Sequence, residues 1–401
     1  MDTRFERIEG GGRGLVLLTA GLGALALAGV WSTFRMYVEG VYLSGMTNRV
    51  PWGLQIVLGI FYIGLSAGSL VISSLYGLFG RSEYRPFARV AAFAAVLLMV
   101  GALLSIVSDQ GRIDRVFVQP FLHLNPLSML SINPFLYASY VLIGVAYLGA
   151  MLLESERWTR ALALLAVLWA ILVHSGTGAI FGFVPRELYR SPLLPPSFVA
   201  AALSSGTALM ILVFLALFRL TRRRLDDELI LWVGRLLGVF VLVAAYFVLV
   251  ENVHRLYLRE SREAARFFLF GGPHAALFWG GMVLLGTLVP AVLLFGRRTR
   301  GSVPWVAVAS ALVVLGVLCE RYLIVIPGLA YPPELLPGWR IARSGFEEGI
   351  ASYHVSGYEL LQAAGVLGVV ALLFTWGLKL LRLLPAEARA LPRGGGSANE
   401  G

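Results

Sequence analysis

Ten apolar stretches run along the chain, at about 15–34, 52–79, 87–108, 132–153, 158–181, 196–220, 229–253, 273–296, 303–326 and 355–381. Crossing roughly 30 Å of hydrocarbon takes about 20 helical residues at 1.5 Å each, so every stretch is long enough to span a bilayer. Backbone groups in hydrocarbon must bond within their own segment, which makes helices the predicted elements. The first stretch follows Arg4, Arg7 and Arg13. No small-residue cleavage site precedes a soluble domain there, so it is expected to be a retained helix rather than a signal peptide. The predicted organisation is a cytoplasmic segment (1–14), one membrane domain (15–381) and a flexible cytoplasmic tail (382–401).

Short and long connections alternate. The long ones, near 35–51, 109–131, 182–195, 251–272 and 327–354, all fall on one side, and loops of that length usually bind something or carry function. Of the 33 Lys and Arg, 19 lie in the short connections and termini, 12 in the long loops, and Arg235 and Arg321 within spans. This asymmetry predicts cytoplasmic termini and outward-facing long loops.

Sliding the sequence by about 145 residues sets Pro51 opposite Pro196, Asp109 near Glu251, Asn125-Pro126 near Gly272-Pro273, and His174 opposite Glu320. In both copies a Pro opens the first helix, an acid ends the second and a Pro precedes the third. Phe181-Gly182 or Pro327-Gly328 closes the fourth. Four helices per copy is even, so the copies share one orientation about an axis along the membrane normal. The fold class expected is therefore all-α and polytopic: bundle one at about 52–181, bundle two at about 196–326, flanked by helix 1 and by helix 10 at about 355–381.

Composition narrows the function. Of 401 residues 58% are hydrophobic and only 14% charged, which excludes soluble and disordered classes. A single cysteine, Cys319, closes no intrachain disulfide and cannot supply the roughly four ligands of an iron–sulfur cluster or structural zinc. Any such centre is expected on a partner. The net charge of +10 follows from membrane orientation and requires no nucleic acid.

Several motifs together resemble a known family. They are Thr47-Asn48-Arg49-Val50-Pro51-Trp52-Gly53, Gly64-Leu65-Ser66-Ala67-Gly68, Asp109-Gln110-Gly111-Arg112, Asn125-Pro126-Leu127-Ser128-Met129, His174-Ser175-Gly176, Gly272-Pro273 with Phe278-Trp279, and Glu320-Arg321-Tyr322 running to Pro327-Gly328. Over residues 15–381 the protein resembles the NrfD-like (polysulfide-reductase type) membrane subunits. Its ten spans resemble the longer branch, which accompanies periplasmic hydrogenases, sulfur-metabolism complexes and alternative complex III. The resemblance implies a quinone-interacting membrane subunit of a multi-subunit oxidoreductase in the prokaryotic inner membrane. Its partner would be an iron–sulfur subunit docked on the outer loops, with a further catalytic subunit beyond. Menaquinone or ubiquinone would be the exchangeable substrate, and the membrane subunit itself would bind no haem, metal or cluster. Shorter members place Asn and His on the first bundle helix near quinone, but here Gly59 falls where that His would be. Trp52 and Gln55 are the nearest polar substitutes.

Ionisable groups inside spans are expensive and mark function by default. His174 lies sixteen residues from Trp158, roughly 24 Å by helix rise, in the outer third of the bilayer. Glu320 and Arg321 lie equally deep, Asp109 and Glu251 end their helices at the outer face, and Glu359 sits in the first turns of helix 10. The inner half is nearly bare, so no proton pumping by this protein alone is expected; Arg235 is near enough to the inner end to snorkel. A quinone needs an apolar slot, donors for its carbonyl oxygens and groups that exchange protons. His174, Glu320 and Arg321 are the candidates for that chemistry. His174, Trp52, Gln55 and Arg321 are the candidate quinone contacts, and Asp109, Glu251, His254 and Glu359 the proton-exchange candidates. A histidine at this depth equally serves to bridge two helices. Arg321 is expected to pair with an acid on another helix, as a redox contact or as a bundle-locking ion pair.

Rival readings are a haem protein, a secondary transporter and a ligand-free anchor. Of five histidines, His123, His254, His274 and His354 fall in outer loops or at helix mouths, leaving a bis-histidine haem short of one buried ligand. A transporter would centre its charges and invert its repeat. Ser66, Ser69, Ser73 and Ser74, with Ser204, Ser205 and Thr207, read as close packing rather than a proton wire. The stretch from Glu251 to Arg266 has helical amphipathic spacing suited to the membrane surface or to lying under a partner.

Overall fold

A computed structural model describes residues 5–8, 11–116, 118–221, 223, 225–332 and 349–385. Among them ten helices are long and apolar enough to cross a membrane: α1 (Arg13–Glu39), α2 (Leu54–Gly77), α3 (Arg85–Asp109), α4 (Met129–Leu152), α5 (Glu156–Gly182), α6 (Leu194–Leu220), α7 (Asp227–Tyr257), α8 (Gly272–Phe295), α9 (Val303–Ala330) and α10 (Gly357–Leu380). The parts of the expected tail at 386–401 and of the last long loop at 333–348 lie outside the described residues.

Two four-helix sets share one pairing pattern. In the first, α2 packs on α3, α3 on α4, α4 on α5 and α5 on α2; in the second, α6 through α9 repeat the cycle. The sets meet where α2 and α5 lie against α6, and α2 against α9. At the centre of that seam Gly68 and Gly206 face each other so closely that a Cβ on either would overlap the other's backbone. The neighbouring serines of α2 tie it to α3 or bond within their own helix. Ser66 donates to the Ala95 carbonyl at 2.6 Å and Ser73 to Ala88 at 2.7 Å, while Ser69 and Ser204 bond to their own helices. With van der Waals contact as the main force between helices in lipid, small residues set how near they come. α1 and α10 form an antiparallel pair laid on α3, again through facing glycines, Gly29 and Gly365.

Three local features depart from the sequence expectation. Pro327 does not close α9, which continues to Ala330. Proline removes an intrahelical bond, and the turn is held instead by the Tyr189 hydroxyl donating to the Val325 carbonyl at 2.8 Å and by Arg186 donating to the Gly328 and Leu329 carbonyls. Glu251 does not end α7. Its ion pair with Arg255 at 2.6 Å, one turn on, carries the helix to Tyr257. Within α8, residues Leu277–Leu288 are wound as a π-helix, with the Thr287 hydroxyl donating to the Met282 carbonyl five residues back.

The loop after α7 contributes a nine-residue amphipathic helix, Arg262–Phe270, whose Ala264, Phe268 and Leu269 are buried against Phe278, Met282 and Leu323. At the opposite face β1 (Phe5–Glu6) pairs antiparallel with β2 (Leu384–Pro385). The buried Arg89 secures this ribbon, with Glu154 at 3.0 Å and the Phe5 ring 3.8 Å from its guanidinium carbon.

Candidate functional site

The N-terminal end of α2 carries a knot built on Glu359. Ser356 caps α10 by accepting from the Glu359 backbone at 3.2 Å, and the Glu359 carboxylate accepts from the Ser356 backbone at 2.9 Å, a reciprocal capping box. The same carboxylate accepts from the Gly45 and Leu54 amides, both at 3.0 Å, and from the Tyr353 hydroxyl at 2.6 Å. Since Leu54 opens α2, the carboxylate also sits at the positive end of that helix. Burial and the adjoining carboxylate push the Tyr353 phenol far above its usual range, so it remains a donor. A Cβ at Gly53 would strike Glu359 and one at Gly45 the His354 carbonyl, which is why the loop closes only with glycine at both. Asp109, the last residue of α3, is buried against the Gly53 backbone within electrostatic reach of Glu359. Gln55 joins them: its amide donates to the Glu359 carbonyl at 2.8 Å, while its Oε1 is buried with no partner among the described residues.

The second group lies one layer deeper, where α5, α6 and α9 converge on α2. Arg321 is 1% exposed, and none of its three guanidinium nitrogens makes a hydrogen bond among the described residues. The Phe198 ring lies beneath it, 4.1 Å from the guanidinium carbon. Its nearest carboxylate is the adjacent Glu320, at 3.9 Å. Among the described residues no acid from another helix pairs with it; the cation–π contact and the sequence neighbour take that place. His174 is 2% exposed, close enough to Arg321 to feel its charge, with Nδ1 3.2 Å from the Ala170 carbonyl. Above this pair an aromatic lid closes toward the N-terminal end of α2: Phe181 stacks on Phe198 with centroids 5.9 Å apart and takes Trp52 edge-on at 5.7 Å.

On the far side of α9, Glu320 shares a cavity of about 40 Å³ with Glu251, Arg255 and Asn252. That is room for a few waters, each needing about 10–15 Å³. His254, in the last turns of α7, does not line it, although its Nδ1 is buried without a partner among the described residues. The residues singled out in the sequence thus fall into adjoining groups: Gln55, Asp109 and Glu359; His174 and Arg321 under Trp52; and Glu251 with Glu320. Sequence reasoning missed Tyr353, which reads as an ordinary loop tyrosine, and Gln362, an uncharged residue within a span. Gln362 is 1% exposed and its Oε1 lacks a partner among the described residues.

A family model described as "Polysulphide reductase, NrfD" matches residues 42–333. The protein belongs to the NrfD family. It is similar to the Hdr-like menaquinol oxidoreductase integral membrane subunit of Archaeoglobus fulgidus, 38% identical over 97% of this sequence and 98% of that protein. The integral membrane subunit of menaquinone reductase from Nitratidesulfovibrio vulgaris is 24% identical over 83% of this sequence and 86% of its own. Protein NrfD of Escherichia coli is 24% identical over 70% of this sequence and 96% of its own. Ten apolar helices and membership of the NrfD family make the protein a multi-pass membrane protein. The NrfD match begins after α1 and ends before α10, so the glycine-paired α1/α10 hairpin is packed onto the outside of the matched helices.

Proposed function

We propose that this protein is the quinone-interacting membrane subunit of a multi-subunit oxidoreductase, exchanging electrons between an isoprenoid quinone and an iron–sulfur partner seated on the outer loops. Relatives named as membrane subunits of a menaquinol oxidoreductase and a menaquinone reductase support the class. The observation that carries the site is Arg321, a guanidinium buried with all three nitrogens unsatisfied among the described residues. A buried donor without an acceptor is costly, and a charged one more so. A quinone carbonyl oxygen between Arg321 and His174 supplies that acceptor.

The roles follow from the atoms present. Arg321 donates to one quinone oxygen and stabilises negative charge that develops there on reduction. With Nδ1–H of His174 bonded to the Ala170 carbonyl, Nε2 is the lone-pair nitrogen and takes or returns a hydroxyl proton. Phe198, with Phe181 stacked on it, covers the site and keeps bulk water out. Glu320 and Glu251, with water in the cavity between them, connect this depth to the outer face, so quinol protons leave, or quinone protons arrive, on the side where electrons are exchanged.

The test compares quinone-linked turnover with partner-only turnover by an artificial electron carrier. In Arg321→Gln the quinone-linked rate should fall about 100-fold, the scale for losing one oxyanion donor, with the artificial-carrier rate and the assembly of the complex unchanged. His174→Ala should fall in the same direction. Wild-type quinone kinetics in both variants would remove this site.

A further inference from the structure

A lipid-facing cleft bounded by α1, α3 and α10 belongs to none of the groups above. It encloses about 480 Å³, within the range of roughly 300–1,000 Å³ typical of small-molecule sites. Val30 and Phe34 stand largely exposed on its rim, so it opens toward the membrane. Its walls are apolar except at Tyr37 and Asp114 and where Thr33, Ser108 and Gln362 meet. Gln362 lies five residues into α10, roughly 8 Å below the outer end by helix rise. Its Nε2 makes only long contacts, 3.3 Å to the Thr33 hydroxyl and 3.4 Å to the Ser108 carbonyl, and its buried Oε1 accepts nothing among the described residues.

We propose that this cleft is a second isoprenoid-quinol site, distinct from the one at Arg321 and formed where α1 and α10, which lie outside the matched family region, meet α3. It rests on the reading of the protein as quinone-linked. The unsatisfied amide selects the occupant. Oε1 asks for a donor and Nε2 for a better acceptor, at a depth where water is scarce. A phospholipid offers only ester carbonyls there, because its hydroxyl or ammonium donors stay at the headgroup surface. A quinol is apolar apart from its two hydroxyls and carries them to that depth, one donating to Oε1 while the other reaches toward Thr33 and Ser108. The oxidised ring offers Nε2 a carbonyl but nothing to Oε1, so the cleft favours the reduced form. Its isoprenoid tail leaves past Val30 and Phe34 into lipid. The buried Asp109, adjacent in sequence to Ser108, places the cleft beside the Glu359 knot.

The experiment uses the intact complex in vesicles of phosphatidylcholine and phosphatidylglycerol, with a photoreactive azido-naphthoquinol bearing an isoprenoid tail, and maps labelled peptides by mass spectrometry. Label is expected within 26–37, 104–114 and 362–369, displaced by unlabelled menaquinol and not by added phosphatidylglycerol. Gln362→Leu should reduce that label about tenfold, as for a lost hydrogen bond to a buried group, and Leu104→Trp, which fills the cleft from a partly exposed position, should do the same. Arg321→Gln should retain it while losing quinone-linked turnover. Unchanged labelling in both cleft variants, displacement by the phospholipid, or label confined to α5, α6 and α9 would overturn the cleft site alone. No quinol label anywhere, together with quinone-independent turnover, would overturn the functional reading as well.

Discussion

Glu359 and Arg321 are both buried ionisable residues toward the end of the bundle opposite the β1/β2 ribbon, and their surroundings give them opposite thermodynamic meanings. The Glu359 carboxylate is met by three backbone amides and a phenol, a donor set that makes it a structural centre joining two loops and the starts of two helices. Replacing it by Gln leaves one oxygen to serve these donors and sets an NH2 against others, so Glu359→Gln should destabilise the fold by about 1–3 kcal/mol, the cost of leaving buried donors unmet. Tyr353→Phe removes one donor and should cost less, about 1 kcal/mol. Arg321 satisfies no acceptor among the described residues, and its burial costs without a matched ion pair to offset it. Arg321→Met should therefore fold with no loss in thermal midpoint while quinone-linked turnover falls. Thermal unfolding of the three purified variants checks the contrast, and a large drop in Arg321→Met with none in Glu359→Gln would reverse the assignment.

At the scale of the helices, glycine positions decide where elements cross. Gly68 against Gly206 joins the two four-helix sets, Gly286 against Gly316 joins α8 to α9, and Gly29 against Gly365 joins α1 to α10. Gly68→Leu should abolish assembly, because the side chain meets backbone that has nowhere to move. Gly29→Leu should only separate α1 from α10, leaving α2 to α9 folded. Limited proteolysis read against circular dichroism separates the two outcomes, and equal loss of structure in both variants would contradict this hierarchy. The spans themselves were legible, because long apolar runs leave the backbone little choice in a bilayer. Their ends were less so. Pro327 signals a stop by local chemistry, but the partners that override it, Arg186 and Tyr189, come from another loop. The places of His174 and Arg321 along their helices followed from residue counting, whereas the lack of a cross-helix acid for Arg321 among the described residues depended on packing that no spacing encodes. Gln362 and Tyr353 were invisible for a simpler reason. Neither carries the charge that marks a residue in or beside a span as functional, and only its unsatisfied or saturated atoms show what it does.

For the whole molecule, ten spans require the two ends of the membrane domain to lie on one face, and the β1/β2 ribbon brings Phe5 opposite Pro385 there. Arg223, in the short connection after α6, donates to the Pro385 carbonyl at 2.6 Å, so three separate segments are tied together at that face. Charge predicts which face this is. The short connections and termini hold 19 of the 33 Lys and Arg against 12 in the longer loops, and by the positive-inside bias the ribbon is expected in the cytoplasm. The functional reading depends on this orientation, because Glu359, Arg321 and Glu251 all lie toward the opposite end, where a partner bringing electrons would dock. With the lone thiol removed by Cys319→Ser, single cysteines at His123 and at Arg382 sit on opposite faces, both exposed. A membrane-impermeant maleimide applied to intact cells, with the outer envelope permeabilised where there is one, should label His123→Cys at once and Arg382→Cys only after the membrane is opened. The reverse pattern would put the ribbon outside, move the iron–sulfur partner to the cytoplasm, and make the protons exchanged through Glu320 and Glu251 cytoplasmic ones.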